Sequence, residues 1–302
     1  MQGEFKRETS VSKIVDASPE EEQEIIEVFK NNLYNPDEKK FSKSGELIRD
    51  YEREKTDKEI EMMKYIFEKV SEFVRRYGGE PVNLNTEYVH ILDNNKIGND
   101  LFEKIGKVGQ SFYNPFRQYI GLMDFDNLSN MQNVVHESMH ANSFFSVEIC
   151  QDGNLNFRRG GWETSVKQNY KEIYFWSLNE AITSELEKRF VKEFLMIKPE
   201  LNDDFEKRKI KAKEILGGNP SEDELEDMLY SYPESKPGLH SMFRDIRDKN
   251  PSKFKPGKDG EEEVFNMFAR VYFTGNILEV ARIFEKTYGK GSFRDFGKRN
   301  KQ

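Results

Sequence analysis

Two histidines, His136 and His140, are four residues apart in the pattern His-Glu-x-x-His. On an α-helix such residues lie on one face, about 6 Å apart along the axis, so both imidazoles can bind one ion. Glu137 lies about 100° around the helix from His136, where its carboxylate can reach a water molecule beside the ion. The pattern predicts a zinc site with His136 and His140 as ligands and Glu137 as general base.

The residues around this motif predict an amphipathic helix that ends near Phe144-Phe145. Asn127 or Ser129 is suited to cap its start. Its apolar side would consist of Leu128, Met131, Val134, Val135 and Met139. Only two other histidines occur in the chain, His90 and His240, and His90 lies in a predicted strand, where a structural role is favoured over metal binding.

A catalytic zinc usually has three protein ligands and an open position for water. Glu180 lies in the first turn of a second predicted amphipathic helix, which follows the aromatic run 174–176. Helix-dipole stabilisation is the alternative reason for an acid there. From the residues alone the third ligand stays open, because four other acids are candidates: Glu148, Glu163, Glu172 and Glu185, the last expected on the solvent side.

The HExxH helix followed by Asn179-Glu180-Ala181-x-Thr183 resembles the gluzincin group of zinc metallopeptidases, the thermolysin-like superfamily. The likeness covers roughly residues 110–190, and this region also resembles uncharacterised bacterial metallopeptidases. The resemblance implies that Glu180 is the third ligand of one zinc ion and that Glu137 is the catalytic base. It further implies a zincin-like fold in which a helical lobe closes the substrate cleft.

The chain departs from the thermolysin pattern at two positions. Ser184 stands where the second helix usually carries an aspartate, and Asn142 stands where a hydrophobic residue is usual. The resemblance therefore does not supply the residues that orient the ligands. The metzincin class is excluded, because it requires glycine and histidine where this chain has Ser143 and Ser146.

The residues predict a zinc-dependent hydrolase, and the resemblance implies that it is a peptidase. Zinc would lower the pKa of a bound water to about 7, and Glu137 would pass the water's proton to the leaving amine. The donor for the oxyanion stays open among Tyr230, Tyr232, His240 and Arg159. Two alternatives also stay open: another zinc-dependent amide hydrolase, and a non-catalytic module with a vestigial HExxH helix.

The predicted fold is helix-dominated α+β, with a small sheet beside the HExxH helix and a helical C-terminal lobe. We expect an N-terminal tail and helical extension over 1–52, a zincin-like core over 53–200 and the lobe over 201–302. Capping boxes predict helices starting after Ser18, Thr56 and Ser221. Periodicity predicts strands over 88–92 and 118–123, the second either a buried strand or an edge that binds peptide. Residues 1–17 are expected to form a loose tail, and residues 151–170 a loop.

Composition limits the partners and the compartment. The net charge of −8 argues against nucleic acid, and no apolar run reaches membrane-spanning length. Cys150 is the only cysteine, so a reducing compartment is expected, and the N-terminus lacks the apolar segment of a secretory signal. We therefore expect a cytoplasmic protein that acts on a peptide or protein substrate, with its oligomeric state left open.

Overall fold

The computed structural model describes residues 7–34, 48–97, 111–150, 155–166, 169–217, 220–221, 225 and 236–299. Helices predominate in these residues beside two small sheets, so the predicted helix-dominated α+β class is confirmed. The helices, numbered along the chain, are α1 (Pro19–Tyr34), α2 (Asp57–Arg76), α3 (Asn127–Asn142), α4 (Trp176–Phe190), α5 (Asn202–Leu216), α6 (Lys236–Lys249), α7 (Gly257–Thr274), α8 (Leu278–Tyr288) and α9 (Ser292–Arg299).

Both sheets mix parallel and antiparallel pairs. The larger sheet has β1 parallel to β5 and antiparallel neighbours elsewhere, in the order β1 (Lys13–Val15), β5 (Phe145–Ile149), β6 (Leu155–Gly160), β7 (Glu163–Val166), β8 (Asn169–Tyr174). The smaller sheet has its central strand parallel to the first and antiparallel to the last, in the order β2 (Val89–Leu92), β4 (Tyr119–Met123), β3 (Ser111–Asn114).

Local capping chemistry sets the starts of the first two long helices. The Thr56 side chain accepts from the Glu59 backbone N–H, and the Glu59 carboxylate accepts from the Thr56 N–H. Ser18 and Glu21 make the same reciprocal pair before α1. Both predicted capping boxes are confirmed, whereas the third lies outside the described residues at Glu224.

The metal-motif helix α3 differs slightly from its prediction at both ends. Its N-cap is Asp126, whose carboxylate accepts from the Ser129 backbone N–H, and not Asn127 or Ser129. It ends at Asn142, whose side chain donates back to the Ser138 carbonyl, and β5 begins at Phe145. The helix is therefore shorter at its C-terminus than the apolar residues 144–145 suggested.

Two segments that the sequence favoured as irregular are strands. Residues predicted as a loop over 151–170 contain β6 and β7 and the start of β8, and the predicted N-terminal tail contributes β1. The residues of β6 are all half-buried, so this strand lacks the alternation of buried and exposed side chains that marks a strand in sequence. Pairing with neighbouring strands, which sequence periodicity does not reveal, holds these segments in place.

The strand before α3 is buried and not an edge. β4 pairs with β2 on one side and β3 on the other, so the buried-strand alternative is correct for 118–123. Among the described strands, β2 and β3 are the two edges of this sheet, and β3 lies against α3. Any peptide that pairs with this sheet beside α3 would therefore meet β3.

One large hydrophobic cluster connects the helices on both sides of residue 200. It contains side chains of α2, α3 and α4 together with those of α6, α7 and α8. Trp162, which is fully buried, stacks on Phe268 of α7 at 5.1 Å between ring centroids. The residues that surround the metal motif thus share their core with the C-terminal helices.

Within the described residues, no helix is both long enough and apolar enough to cross a bilayer.

Candidate metal centre

Helix α3 presents His136 and His140 toward α4 from an almost wholly buried position. The apolar residues that flank the motif are all fully buried, which fixes the rotation of the helix. His136 is 3% exposed, and its ring lies 4.9 Å from the His140 ring between centroids. The two Nε2 atoms are 3.2 Å apart, so they face a common point.

Glu180 from the first turn of α4 faces the same point. Its carboxylate oxygens lie 3.5 Å from His136 Nε2 and 3.6 Å from His140 Nε2. In a tetrahedral zinc site with bonds of 2.0–2.2 Å, ligand atoms are about 3.3–3.6 Å apart. The 3.2 Å between the two nitrogens, and the distance from each nitrogen to its nearer Glu180 oxygen, are close to these values. Among the described residues this is the group in which one atom from each of three histidine or acidic side chains lies within 4.8 Å of the other two.

Charge compensation within this group shifts the pKa values of its members. Burial raises the pKa of Glu180, but the positive charge of His140 and hydrogen bonds from both histidines outweigh it and lower that pKa well below its usual range. Burial lowers the pKa of His136, but hydrogen bonds to Glu180 and Glu187 raise it well above its usual value. A cation at the common point would take over the role of these protons.

The other acids considered as the third ligand lie elsewhere or have other partners. Glu148 is buried and pairs with Arg158 at 3.1 Å. Glu172 lies on β8 and does not line the metal pocket among the described residues. Glu185 is only 5% exposed, so its predicted solvent-side position is wrong; its carboxylate pairs with Arg189.

Glu187 orients His136. The resemblance to thermolysin-like enzymes did not predict this role. Glu187 Oε2 lies 3.0 Å from His136 Nδ1, which must donate if Nε2 is to keep its lone pair for a metal. Glu187 follows Glu180 by seven residues, or two helical turns, so both lie on one face of α4. An acid two turns after the ligand was the available sequence signal. Ser184, which stands where the thermolysin pattern has an aspartate, is fully buried.

Tyr272 of α7 orients His140. Its hydroxyl lies 3.3 Å from His140 Nδ1 and 3.0 Å from the Thr183 Oγ1 atom, and Thr183 donates to the Asn179 carbonyl. With Nε2 directed at the common point, Nδ1–H donates to the Tyr272 oxygen, and the Tyr272 hydroxyl donates to Thr183. No local sequence pattern connects Tyr272 with residue 140, so the sequence analysis did not identify this contact.

Glu137 lies beside the ligands with its carboxylate held by β3. The Ser111 hydroxyl donates to Glu137 Oε1 at 2.6 Å, and Glu137 is 4% exposed. This places the predicted base at the wall of a pocket of about 450 Å³. The pocket contains all four predicted site residues and is walled by aromatic side chains: Phe112, Tyr113, Phe145, Phe157 and Trp176.

A further acid, Glu163, also lines this pocket. The Asn179 side chain donates to Glu163 Oε1 at 3.1 Å and accepts from the Trp162 backbone N–H at 2.9 Å. Burial, reinforced by the negative charge of Glu180, raises the pKa of Glu163 to about 7. Because Asn179 is the residue before Glu180, it links Glu163 directly to the ligand helix.

Of the four oxyanion donors suggested by the sequence, the structure describes His240 and Arg159, and neither lines the metal pocket. His240, on α6, lies with its Nδ1 atom 2.8 Å from Glu261 Oε1. Arg159 donates to the carbonyls of Gly161 and Gly275. Burial lowers the pKa of Arg159 to about 10. Tyr230 and Tyr232 lie outside the described residues.

Neither a protein-family model nor a curated protein nor a solved structure matches this chain.

Proposed function

We propose that this protein is a zinc-dependent peptidase of gluzincin type with a zincin-like core. The observation that carries the proposal is the convergence of His136, His140 and Glu180 at separations that suit tetrahedral zinc. Two imidazoles and one carboxylate form a known catalytic zinc set, which leaves a fourth position for water. Glu187 and Tyr272, which hold the two Nδ1 atoms, support it further.

The chain's own residues provide the remaining parts of a hydrolytic site. A zinc ion bound there would supply a Lewis acid for a substrate carbonyl and for a water molecule. Glu137 would take the proton of the attacking water and deliver it to the leaving amine nitrogen. Because Ser111 donates to Oε1, we assign Oε2 of Glu137 to this proton transfer.

The edge strand β3 supports a peptide substrate. Ser111, Phe112 and Tyr113 of this strand line the pocket that also contains Glu137 and the ligands. An extended peptide that pairs with β3 by main-chain hydrogen bonds would pass its carbonyls along the ligand group. We therefore propose a peptide or protein as substrate. The single cysteine, Cys150, favours a reducing and hence cytoplasmic location.

Metal content tests the proposal first. We expect elemental analysis to find about one zinc per chain in the wild type and a loss of tightly held zinc in His140→Ala and Glu180→Ala. Glu172→Ala, a rival acid outside the ligand group, is the matched control and should retain the metal. A full equivalent of zinc in Glu180→Ala would contradict the ligand assignment.

A peptide panel then tests the reaction. Glu137→Gln keeps the size of the side chain and should bind zinc normally while losing peptide hydrolysis by a factor of at least about 100. Hydrolysis of simple amides but not of peptides would favour the amide-hydrolase alternative. Zinc binding with no hydrolysis of either class would favour a non-catalytic module.

A further inference from the structure

The pocket beside the ligands carries one carboxylate more than a metal site and a general base require. Glu137, Glu163 and Glu180 all line it, and no lysine or arginine does so among the described residues. We propose that Glu163 binds the positively charged amino group of the substrate, so that the site accepts peptides with a free N-terminus. This inference rests on the proposed function, because it treats the pocket as the substrate pocket and the ligand group as occupied by a metal ion.

Glu163 has a fixed position relative to the ligands. It is the first residue of β7 and follows a tight turn at Gly161 and the fully buried Trp162. Asn179 holds its Oε1 from the residue next to Glu180. A carboxylate held in this way needs no rearrangement to receive a ligand, so little conformational entropy is lost on binding.

Glu163 lacks the partners that buried carboxylates normally have. Its oxygens do not belong to the group that converges on the metal position, and no lysine or arginine in the described part of the chain forms an ion pair with it. Its hydrogen bond comes from a neutral amide, so no lysine or arginine of the described residues stabilises the ionised form of this carboxyl group. An ammonium group in the pocket would compensate that charge and donate to Oε2.

The charge and walls of the pocket fit such a ligand. A divalent ion with neutral imidazoles would balance two of the three carboxylates, and the third would remain to form an ion pair with an ammonium group. The aromatic walls suit an ammonium group attached to an apolar side chain, through cation–π and apolar contacts. A volume of about 450 Å³ lies in the lower part of the range for ligand pockets, which suits the terminal residues of a peptide.

A matched pair of small ligands tests the proposal without any hydrolysis. 2-Phenylethylamine carries the ammonium group, and its N-acetyl derivative is neutral with the same ring. NMR titration of the zinc-loaded wild type should give at least about tenfold tighter binding of the amine, the factor expected for a hydrogen bond between charged groups. In Glu163→Gln, which can still accept from Asn179, the two ligands should bind within twofold of each other. Glu172→Gln, on β8 of the same sheet, should retain the preference.

Two results would overturn the proposal. Equal binding of the two ligands to the wild type, or binding of neither, would show that the pocket does not select an ammonium group. A preference that survives in Glu163→Gln would show that the amine binds elsewhere, for instance directly to the metal. If this variant does not fold, a crystal structure of the wild type with the amine decides, since its nitrogen must lie within hydrogen-bond distance of Glu163.

These outcomes are separate from those of the peptidase test. Loss of zinc in the ligand variants bears on the proposed function, whereas the ligand pair compares binding and needs no turnover. If both tests succeed, peptides with a free N-terminus should be cleaved with a KM at least about tenfold below that of their N-acetylated forms. Glu163→Gln should remove this difference in KM while retaining zinc.

Discussion

At the scale of single residues, the contact between Glu187 and His136 controls which imidazole nitrogen is available to a metal. Glu187 is fully buried, and its Oε2 accepts from Nδ1 at 3.0 Å. This hydrogen bond fixes the tautomer and directs Nε2 toward His140 and Glu180. The carboxylate also makes the imidazole a better electron donor, which favours metal binding.

Replacing Glu187 by glutamine should weaken zinc binding, although Glu187 is not itself a zinc ligand. The amide cannot supply the negative charge, so we expect the zinc dissociation constant to rise about 10- to 100-fold. Competition with a chelator at constant pH measures this change. Glu193→Gln, which removes an exposed carboxylate paired with Arg76, is the control and should leave zinc affinity unchanged. Equal affinities in wild type and Glu187→Gln would show that the contact is only structural.

At the scale of elements, the turn between β6 and β7 determines how closely the larger sheet approaches α4 and α7. Gly161 has φ +56°, and a Cβ there would lie 2.5 Å from Asn179 Oδ1 and 2.7 Å from the Tyr272 ring. Asn179 and Tyr272 are the residues that hold Glu163 and His140. Only glycine allows this backbone to pack between them.

Gly161→Ala should therefore destabilise the fold and also weaken metal binding. The left-handed conformation costs about 1–2 kcal/mol for alanine, and the close contacts should add about 1–3 kcal/mol. Gly78→Ala is the control, because Gly78 has φ +78° and a Cβ there would meet no atom closer than 4.0 Å. We expect denaturant unfolding to show the larger loss for Gly161→Ala, and chelator competition to show weaker zinc binding in that variant alone. Equal losses of stability would mean that Asn179 and Tyr272 move aside at no cost.

At the scale of the whole molecule, a charged network joins the ligand helix α4 to the C-terminal helices. His240 of α6 lies 3.6 Å from Glu185 of α4 and 2.8 Å from Glu261 of α7. The nearby carboxylates of Glu185 and Glu261 raise the pKa of His240 above its usual value. Burial raises the pKa of Glu185, but His240 and Arg189 outweigh this effect and lower it to about 2.

These shifts predict how stability depends on pH. The contribution of His240 is fully present below about pH 6.5 and is lost as the pH rises through its higher pKa in the folded protein. The contribution of Glu185 is present above about pH 4.3 and is lost as the pH falls toward 2. The network should therefore stabilise the protein most between about pH 4.3 and 6.5.

His240→Gln provides the test of this dependence. Glutamine preserves hydrogen bonding but carries no charge, so the wild type should exceed it in free energy of unfolding at pH 5.5. We expect the difference to shrink as the pH rises to 9, where the wild-type histidine is neutral. Denaturant unfolding at both pH values measures it. A difference independent of pH would contradict a charged His240 in the folded protein.

Features that depend on neighbouring residues were predictable from sequence. The capping boxes at Ser18 and Thr56 follow from a spacing of three residues, and the structure contains both. The HExxH spacing likewise places His136 and His140 on one helix face. Glu180 was chosen by resemblance to a known family, because the residues alone did not separate it from four other acids.

Features that join distant parts of the chain were decided by tertiary structure. β1 and β6 depend on pairing with β5, and β6 shows no alternation of buried and exposed residues. Tyr272 lies 132 residues from His140 in sequence, and only the packing of α7 against α4 and Trp162 brings its hydroxyl to the ring. Sequence determined the helices and the ligand types, because hydrogen bonds between near neighbours specify them. The partners that orient the ligands depend on long-range packing, which has no local pattern to read.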